Sequence, residues 1–281
     1  MQIIERIREM QKWSEAERCK KEQIVLVPTM GFLHEGHLGL VREGRKRADK
    51  LVVSIFVNPA QFAPHEDFAA YPRDFKRDCE LLEQEAVDVI FHPLPEEMYP
   101  EGFQTRVDVE KLASLLCGGF RPGHFRGVAT VVAKLFNIVQ PHVAIFGEKD
   151  YQQLQIIKRM VRDLDFAVEI VSCPVVREND GLALSSRNIY LDKEERNAAL
   201  SLYRALKRAQ ALVAEGEKDG GRIVRAAREE IEKEPLARVD YVRLCHPTSL
   251  EEVGEIKSEA VLALAVWVGQ ARLIDNHLLE P

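Results

Sequence analysis

The feature that most constrains the fold is an alternation of short apolar runs with amphipathic stretches over the first two thirds of the chain. The apolar runs are rich in β-branched residues and have the length of strands, whereas the other stretches repeat their apolar positions at helical spacing. This alternation is typical of βαβ units, so we predict an α/β fold with a mainly parallel sheet covered by helices on both faces. The predicted strands are residues 24–27, 51–57, 87–91, 143–146 and 168–173, and the predicted helices are residues 37–48, 74–85, 127–140 and 151–164.

The pattern changes after Pro174. Helices grouped apart from strands are typical of an α+β arrangement. We therefore expect two domains, residues 1–175 with the parallel sheet and residues 176–281 as a smaller α+β domain. The predicted elements of the second domain are helices at about 192–216 and 221–233 and strands at 239–244, 260–268 and 271–275.

Composition and charge exclude several classes of function. The net charge of −6 gives no basic surface of the kind that nucleic acid binding requires. No apolar run approaches the roughly 20 residues of a membrane-spanning helix. The first 13 residues mix acidic and basic side chains at helical spacing and lack the apolar core of a signal peptide. We therefore expect a cytoplasmic protein that binds neither nucleic acid nor membranes.

The five cysteines indicate no disulfide framework, because their number is odd, their spacing is wide and no C-x-x-C pair occurs. A free cysteine behaves as a small hydrophobic residue. Reduced, mostly buried thiols are therefore expected, and a cysteine-based zinc site is not.

Polar loops follow three of the predicted strands: residues 28–37 (PTMGFLHEGH), 58–62 (NPAQF) and 147–150 (GEKD). In parallel sheets, ligands bind beyond the carboxyl ends of the strands. Three loops that are distant in sequence are thus expected to converge on one crevice.

The first loop contains His34 and His37, for which three interpretations are open. A zinc helix of the H-E-x-x-H type needs one residue more between its histidines, and the neighbouring Glu35 and Gly36 make a packed core segment unusually polar. The start of a helix after a strand offers free backbone N–H groups and a helix dipole to an anion. Since Gly31 and Gly36 would let a phosphate approach the backbone, the phosphate site is favoured over a metal site and over core packing.

Other candidates have an equally ordinary alternative. Lys149 and Asp150 suit a nucleotide's phosphate charge and ribose hydroxyl, or they form a solvated charge pair in a loop. The stretch 184–188 (LSSRN) can clamp phosphates, although its composition is common in loops. The amides of Gln61 and Gln153 suit a small hydroxy acid, or they lie on the surface.

Two longer segments interrupt the alternation. Residues 58–74 are proline-broken and long enough to form a mobile flap over the crevice. Residues 118–127 (GGFRPGHFRG) have the composition of a glycine-rich loop that opens the following helix.

Six segments occur in this order along the chain: PTMGFLHEGHLGLV, IFVNPAQF, YPRD, RPGHFRGV, FGEKDYQQL and LSSRN. Together they closely resemble the motifs of the pantothenate synthetase (pantoate–β-alanine ligase) family, within the HxGH nucleotidyltransferase superfamily. The resemblance covers almost the whole chain and is strongest in the first 190 residues. It implies a Rossmann-like N-terminal domain, a smaller C-terminal domain that closes over the active site, and a homodimer.

The resemblance implies an AMP-forming acid–amine ligase of pantothenate and coenzyme A biosynthesis. The carboxylate of (R)-pantoate would attack the α-phosphate of ATP to give pantoyl adenylate and diphosphate, and the amine of β-alanine would then displace AMP. ATP is expected to enter with Mg²⁺ bound mainly through its phosphates, so no metal-ligating residue is predicted.

The resemblance also implies roles for individual residues. His37 would be the proton donor and His34 its phosphate-binding partner, while Gln61 and Gln153 would hold pantoate and Gln61 would also contact β-alanine. The residues that would stabilise the transferring phosphate are Lys149, Ser185, Ser186 and Arg187. The remaining ATP contacts would be Met30, Gly31, Phe32, Leu33, Glu35, Gly36, Gly147, Glu148, Asp150, Val176 and Leu184. The roles of Asn58, Tyr71, Arg121 and His124 are left open.

Two other functions remain as alternatives. A nucleotidyltransferase that transfers AMP to a phosphorylated acceptor would need more arginine or lysine near Gln61 than the NPAQF loop offers. A catalytically silent nucleotide-binding module would keep the glycines but would have lost His37 or Lys149, and both are present.

Overall fold

A computed structural model describes residues 1–64 and 66–281 of the chain. These residues form two compact units, each with its own apolar core. The first unit comprises Met1–Ala113, Arg121–Glu148 and Gln153–Pro174, and the second comprises Ser114–Phe120, Lys149–Gln152 and Val175–Pro281.

Six strands of the first unit form one parallel sheet, which confirms the predicted α/β class. Their order across the sheet is β1-β4-β3-β2-β5-β6, and every pairing is parallel. The central strands are buried apolar runs, as expected for a sheet covered on both faces. The strands are β1 (Gln2–Ile4), β2 (Ile24–Thr29), β3 (Lys50–Ile55), β4 (Val89–Phe91), β5 (Val143–Gly147) and β6 (Glu169–Cys173).

Strand β1 differs from the sequence prediction, in which the N-terminus had only helical spacing. Its three residues pair with β4 from Gln2 opposite Val89 to Ile4 opposite Phe91. A strand of this length is too short to show a period of its own, so its pairing with β4 decides its conformation. The predicted helical pattern begins only afterwards, in the first helix of the chain.

The helices up to residue 163 lie between successive strands of this sheet along the chain. None of the helices in the described ranges combines the length and the apolar character needed to cross a membrane. Single turns of 3-10 helix occur at Pro59–Gln61, Glu148–Asp150 and Ser186–Tyr190. The helices are α1 (Ile7–Cys19), α2 (Glu35–Arg47), α3 (Phe75–Gln84), α4 (Pro95–Met98), α5 (Glu110–Ser114), α6 (Cys117–Phe120, in the second unit), α7 (His124–Val139) and α8 (Tyr151–Asp163).

The prediction of a glycine-rich loop over residues 118–127 is wrong for most of the segment. Residues 118–120 lie in α6 and residues 124–127 form the first turn of α7. The turn before α6 is held by Gln152, whose Oε1 accepts from the Cys117 N–H at 3.0 Å and whose Nε2 donates to the Leu115 carbonyl at 2.7 Å. This side chain, distant in sequence, stabilises a helix start that composition alone did not indicate.

The second unit contains two long helices and a three-stranded antiparallel sheet of order β7-β8-β9, which confirms its α+β class. Helix α9 begins with a capping box, in which Asp192 accepts from the Glu195 N–H at 2.8 Å and Glu195 accepts from the Asp192 N–H at 3.1 Å. Apolar faces of both helices pack on the sheet in one buried cluster. The elements are α9 (Lys193–Ala214), α10 (Gly220–Glu232), β7 (Ala237–Cys245), β8 (Ala260–Val268) and β9 (Ala271–Leu279).

All five cysteines are free thiols. Only Cys117 and Cys245 are buried, while Cys19 is exposed at the end of α1. The expectation of mostly buried thiols is therefore wrong, because a helix end and half-buried positions also accept cysteine.

Candidate active site

The order of the strands places the first predicted loop at a switch point of the sheet. From β2 the chain proceeds outward through β3, and it later returns to the other side of β2 with β5. The carboxyl ends of β2 and β5, at Thr29 and Gly147, therefore lie side by side with their loops leaving in opposite directions. Such a switch point is where open parallel sheets bind ligands.

The loop after β2 is fixed by Asp78 of α3, a residue that sequence reasoning did not single out. Its carboxylate accepts hydrogen bonds of 2.7 Å from the N–H groups of Phe32 and Leu33. Asp78 is 1% exposed, and burial raises the pKa of its carboxyl, against the two N–H donors and Arg77, which lower it. Gly31 completes the turn with φ of 79°, where a side chain would lie 2.9 Å from Ile55 and 3.0 Å from Asp78 itself.

These contacts change the physical basis of the predicted phosphate site. Three backbone N–H groups of the loop before α2 are engaged inside the protein, since Gly31 donates to Thr29 Oγ1 at 3.2 Å and Phe32 and Leu33 donate to Asp78. The prediction of free N–H groups concerned the start of α2, where the His34 and Gly36 N–H groups donate to ring nitrogens of His37 and His34. Side chains are therefore the main candidates for holding an anion at this place.

His34 and His37 are arranged to supply such side chains. His34 is the N-cap of α2 and His37 is its third residue, so the two rings lie 4.0 Å apart between centroids. The Nδ1 of His34 accepts from the Gly36 N–H at 3.2 Å, and the Nδ1 of His37 accepts from the His34 N–H at 3.4 Å. Because Nδ1 accepts in both rings, the neutral tautomer carries its proton on Nε2. Each imidazole thus has an Nε2–H donor at the positive end of a helix.

Gln61 lies at the end of a 3-10 turn that touches the same loop. Its Nε2 donates to Met30 Sδ at 3.0 Å, and its Oε1 accepts from Asn58 Nδ2 at 2.9 Å. Gly127 of α7 makes this position possible, since a β-carbon there would lie 2.1 Å from the Ala60 carbonyl oxygen. Two of the predicted ligand groups, the Met30 loop and Gln61, are therefore in direct contact.

The described residues of the predicted flap, residues 58–74, make several side-chain contacts that hold the segment in place. Arg121 donates from Nε and Nη2 to the Glu66 carboxylate at 2.6 Å each, and the pKa of Glu66 is lowered by this guanidinium against the opposing effect of burial. His124 Nδ1 lies 2.8 Å from the Gln61 carbonyl oxygen, and Tyr71 is buried beside Phe62. Position 65 lies outside the described residues. Arg121, His124 and Tyr71 thus act here on the conformation of the segment that carries Gln61.

In the second unit, Lys149 is positioned through its backbone. Its carbonyl accepts from Asn276 Nδ2 at 3.0 Å, and Asn276 is a buried residue of β9. The neighbouring Asp150 is exposed. Lys149 is therefore held in place by a polar side chain that no sequence pattern singles out.

Residues 176–184 form a hairpin in which the Leu184 N–H donates to the Val176 carbonyl at 3.0 Å. Its turn lies at residues 179–181. Arg177 anchors the hairpin to β9 by a bidentate ion pair with Asp275, with distances of 2.6 and 2.8 Å. Directly after the hairpin, Ser185 caps the following 3-10 turn by accepting from the Arg187 N–H at 3.3 Å, and Ser186 is buried within that turn.

Three further predicted residues have other surroundings. Glu148 accepts from Ser172 Oγ at 2.9 Å, and Glu35 is exposed and paired with Arg42. Gln153 is half-buried in the first turn of α8. Within residues 1–64 and 66–281, no group of three or more His, Cys, Asp or Glu side chains is arranged to hold a metal ion.

Comparisons with known proteins agree with this arrangement. The sequence profile of the Pantoate-beta-alanine ligase family matches residues 2–278. The chain belongs to this family. It is 56% identical over 279 residues to a pantothenate synthetase of Thermotoga petrophila, which covers 99% of this chain and 100% of the relative. A pantothenate synthetase of Syntrophus aciditrophicus is also 56% identical, over 99% of this chain and 97% of its own length.

Solved structures of pantoate–β-alanine ligases show the same fold. The pantothenate synthetase of Thermus thermophilus superposes with a TM-score of 0.95 at 48% identity, with full coverage of both chains. A pantoate–β-alanine ligase of Francisella tularensis, solved in complex with Beta-gamma ATP and β-alanine, has a TM-score of 0.81 at 33% identity and covers 99% of this chain and 97% of its own. The family resemblance and the fold predicted from sequence are thereby confirmed.

Proposed function

We propose that this chain catalyses the ATP-dependent condensation of (R)-pantoate with β-alanine to pantothenate, AMP and diphosphate, a step of coenzyme A biosynthesis. Membership of the pantoate–β-alanine ligase family supports this reaction. The observation that carries the assignment to particular residues is the histidine pair, whose Nε2–H donors lie at the start of α2 beside the sheet's switch point.

The chemistry requires activation of an unreactive carboxylate. In the first step, a pantoate carboxylate oxygen bonds to the α-phosphorus of ATP and the bond to diphosphate breaks. In the second step, the β-alanine amine bonds to the carbonyl carbon of the adenylate, the bond to AMP breaks and the amine releases a proton. Neither step needs a covalent bond to the protein, so catalysis would rest on positioning and on stabilisation of developing charge.

The residues would divide this work according to their chemistry. His34 and His37 would donate from Nε2 to phosphate oxygens and stabilise the departing diphosphate, with His37 as the proton donor. Gln61 and Gln153 would hold pantoate, and Gln61 would also meet β-alanine. The α-phosphate would be stabilised by Lys149, Ser185, Ser186 and Arg187. The other proposed ATP contacts are Met30, Gly31, Phe32, Leu33, Glu35, Gly36, Gly147, Glu148, Asp150, Val176 and Leu184. Residues 31–33 would touch the nucleotide through atoms other than their N–H groups, which are already hydrogen-bonded.

Three further parts of the proposal rest on the family resemblance and on the chemistry of ATP. The nucleotide would enter as its Mg²⁺ complex, with the ion held mainly by phosphate oxygens, as is usual for this cation. A homodimer and a cytoplasmic location, where ATP is available, complete the proposal. Light scattering of the purified protein tests whether it is a homodimer, and chelation by EDTA tests the Mg²⁺ requirement.

Substrate dependence is the direct test of the reaction. AMP and pantothenate should form in equal amounts only when ATP, pantoate and β-alanine are all present. With pantoate and ATP alone, we expect diphosphate release of about one equivalent per site, because the adenylate has no amine to react with. AMP release that ignores β-alanine and yields no amide would contradict the proposed function.

A further inference from the structure

A chain of hydrogen bonds leads from Tyr99 to Gln61 in the first unit. The Tyr99 hydroxyl donates to Asn58 Oδ1 at 2.7 Å, and Asn58 Nδ2 donates to Gln61 Oε1 at 2.9 Å. Gln61 Nε2 then donates to Met30 Sδ at 3.0 Å. Asn58 is 1% exposed and Gln61 is 8% exposed, so water does not compete freely for these groups.

Backbone groups determine which atoms donate and which accept in this series of hydrogen bonds. Besides Tyr99, Asn58 Oδ1 accepts from the Ala60 N–H at 3.3 Å, and Asn58 Nδ2 also donates to the Gly127 carbonyl at 3.2 Å. A backbone N–H can only donate and a backbone carbonyl can only accept, so the Asn58 amide has one permitted orientation. Its Nδ2 must therefore face Gln61, whose oxygen accepts and whose nitrogen points away from Asn58.

The hydroxyl of Tyr99 is suited to a fixed donor role. Its ring packs between Phe56 and Phe103, with centroids 6.3 and 5.1 Å away. Burial raises the pKa of Tyr99 to about 12, so the hydroxyl keeps its proton at any pH at which the protein would work. The ring holds the hydroxyl in place, and the hydroxyl holds Asn58.

The series of hydrogen bonds ends at Gln61 Nε2, which donates to the weak acceptor Met30 Sδ. A thioether sulfur such as Met30 Sδ accepts hydrogen bonds only weakly, and a ligand oxygen would replace it with a gain. We propose that Tyr99 is a positioning residue which, through Asn58, fixes the Gln61 amide with its N–H toward the substrate and so selects an oxygen acceptor on pantoate. This inference rests on the proposed function, in which Gln61 holds pantoate.

The test compares Tyr99→Phe with the parent enzyme in steady-state kinetics. The variant keeps the ring and its packing and removes only the hydroxyl. We expect the KM for pantoate to rise about fivefold or more, the cost of one buried hydrogen bond, while the KM for ATP stays within twofold. Tyr241→Phe, which removes the hydroxyl of a buried tyrosine in the second unit, should change neither KM.

Asn58→Asp is the second variant, because it replaces the donor that faces Gln61 with an acceptor. Its carboxylate has no donor for Gln61 Oε1, so the Gln61 amide should rotate and present its oxygen to the substrate. The KM for pantoate should then rise more than in Tyr99→Phe, again with the KM for ATP within twofold. A purely structural role would change both KM values together or change thermal stability alone.

The outcomes separate this inference from the proposed function. If the parent protein forms pantothenate and Tyr99→Phe leaves the KM for pantoate within twofold, or raises both KM values equally, the positioning role is wrong and the function stands. If the parent protein forms no pantothenate at all, the proposed function is wrong, and the inference with it.

Discussion

Replacing His37 with alanine is expected to lower the turnover number by a factor of about 10²–10³, the usual effect of removing one donor that stabilises transition-state charge. The Nδ1 of this ring accepts from the His34 N–H, so in the proposed function the ring would act on a ligand through Nε2. The measurement is the rate of pantothenate formation at saturating ATP, pantoate and β-alanine.

Two amide variants separate the functions of the two ring nitrogens. In His37→Asn the amide reaches the position of Nδ1 and can still accept from His34, whereas in His37→Gln it reaches the position of Nε2 and can donate to a ligand. If donation suffices for catalysis, His37→Gln should recover about tenfold or more of the rate lost in alanine, since one hydrogen bond is worth this much, and His37→Asn should not. Equal rates in both variants would indicate that proton transfer by imidazole is required. His246→Ala, at an exposed histidine, is the control and should retain the parent rate.

Replacing Asp275 with alanine is expected to lower the free energy of unfolding by about 3–5 kcal/mol, because it leaves a largely buried arginine without its counter-charge. The Asp275 side chain is 2% exposed and that of Arg177 is 19% exposed. Asp275 Oδ1 also accepts from the Asn276 N–H at 2.8 Å, so the substitution loosens both the hairpin and the residue that holds Lys149. Denaturant unfolding of the purified variant measures the loss.

The surface pair Arg159–Asp163 provides a matched control. Its atoms are 3.6 Å apart and its side chains are 41% and 51% exposed, so Asp163→Ala should cost less than about 1 kcal/mol. The double variant R177M/D275L should be more stable than Asp275→Ala, since apolar residues of similar size leave no buried charge. A loss for Asp275→Ala no larger than that for Asp163→Ala would show that the ion pair does not anchor the hairpin.

Elements of the fold could be predicted when local sequence determines them, and could not when a contact from a distant part of the chain does. Strands β2 to β5 are mostly buried apolar runs and β6 is a partly buried one. Stretches of helical periodicity separate them, so local sequence was enough to predict them. Strand β1 has only three residues and exists because β4 provides a partner far along the chain. The helix over Cys117–Phe120 likewise depends on Gln152, a contact that composition does not contain.

The candidate site could likewise be predicted only where a local sequence pattern determines it. The order of strand, glycine turn and helix placed the histidine pair at the start of α2. The direction of the loop N–H groups depends on Asp78, which is one of several acidic residues in its stretch and has no sequence signal. Gly127 ended a glycine-rich stretch in the sequence, so its close approach to Ala60 could not be distinguished there from the composition of a loop.

The fate of the carboxylate oxygens tests the central claim, attack of pantoate on the α-phosphate, most directly. Pantoate labelled with ¹⁸O in both carboxylate oxygens should yield AMP with one ¹⁸O atom in its phosphate and pantothenate with one ¹⁸O in its new amide carbonyl. This transfer requires that the carboxylate bonded to the α-phosphorus and that the amine then broke the bond between carbon and oxygen. AMP that carries no ¹⁸O, formed together with pantothenate, would contradict the adenylate route.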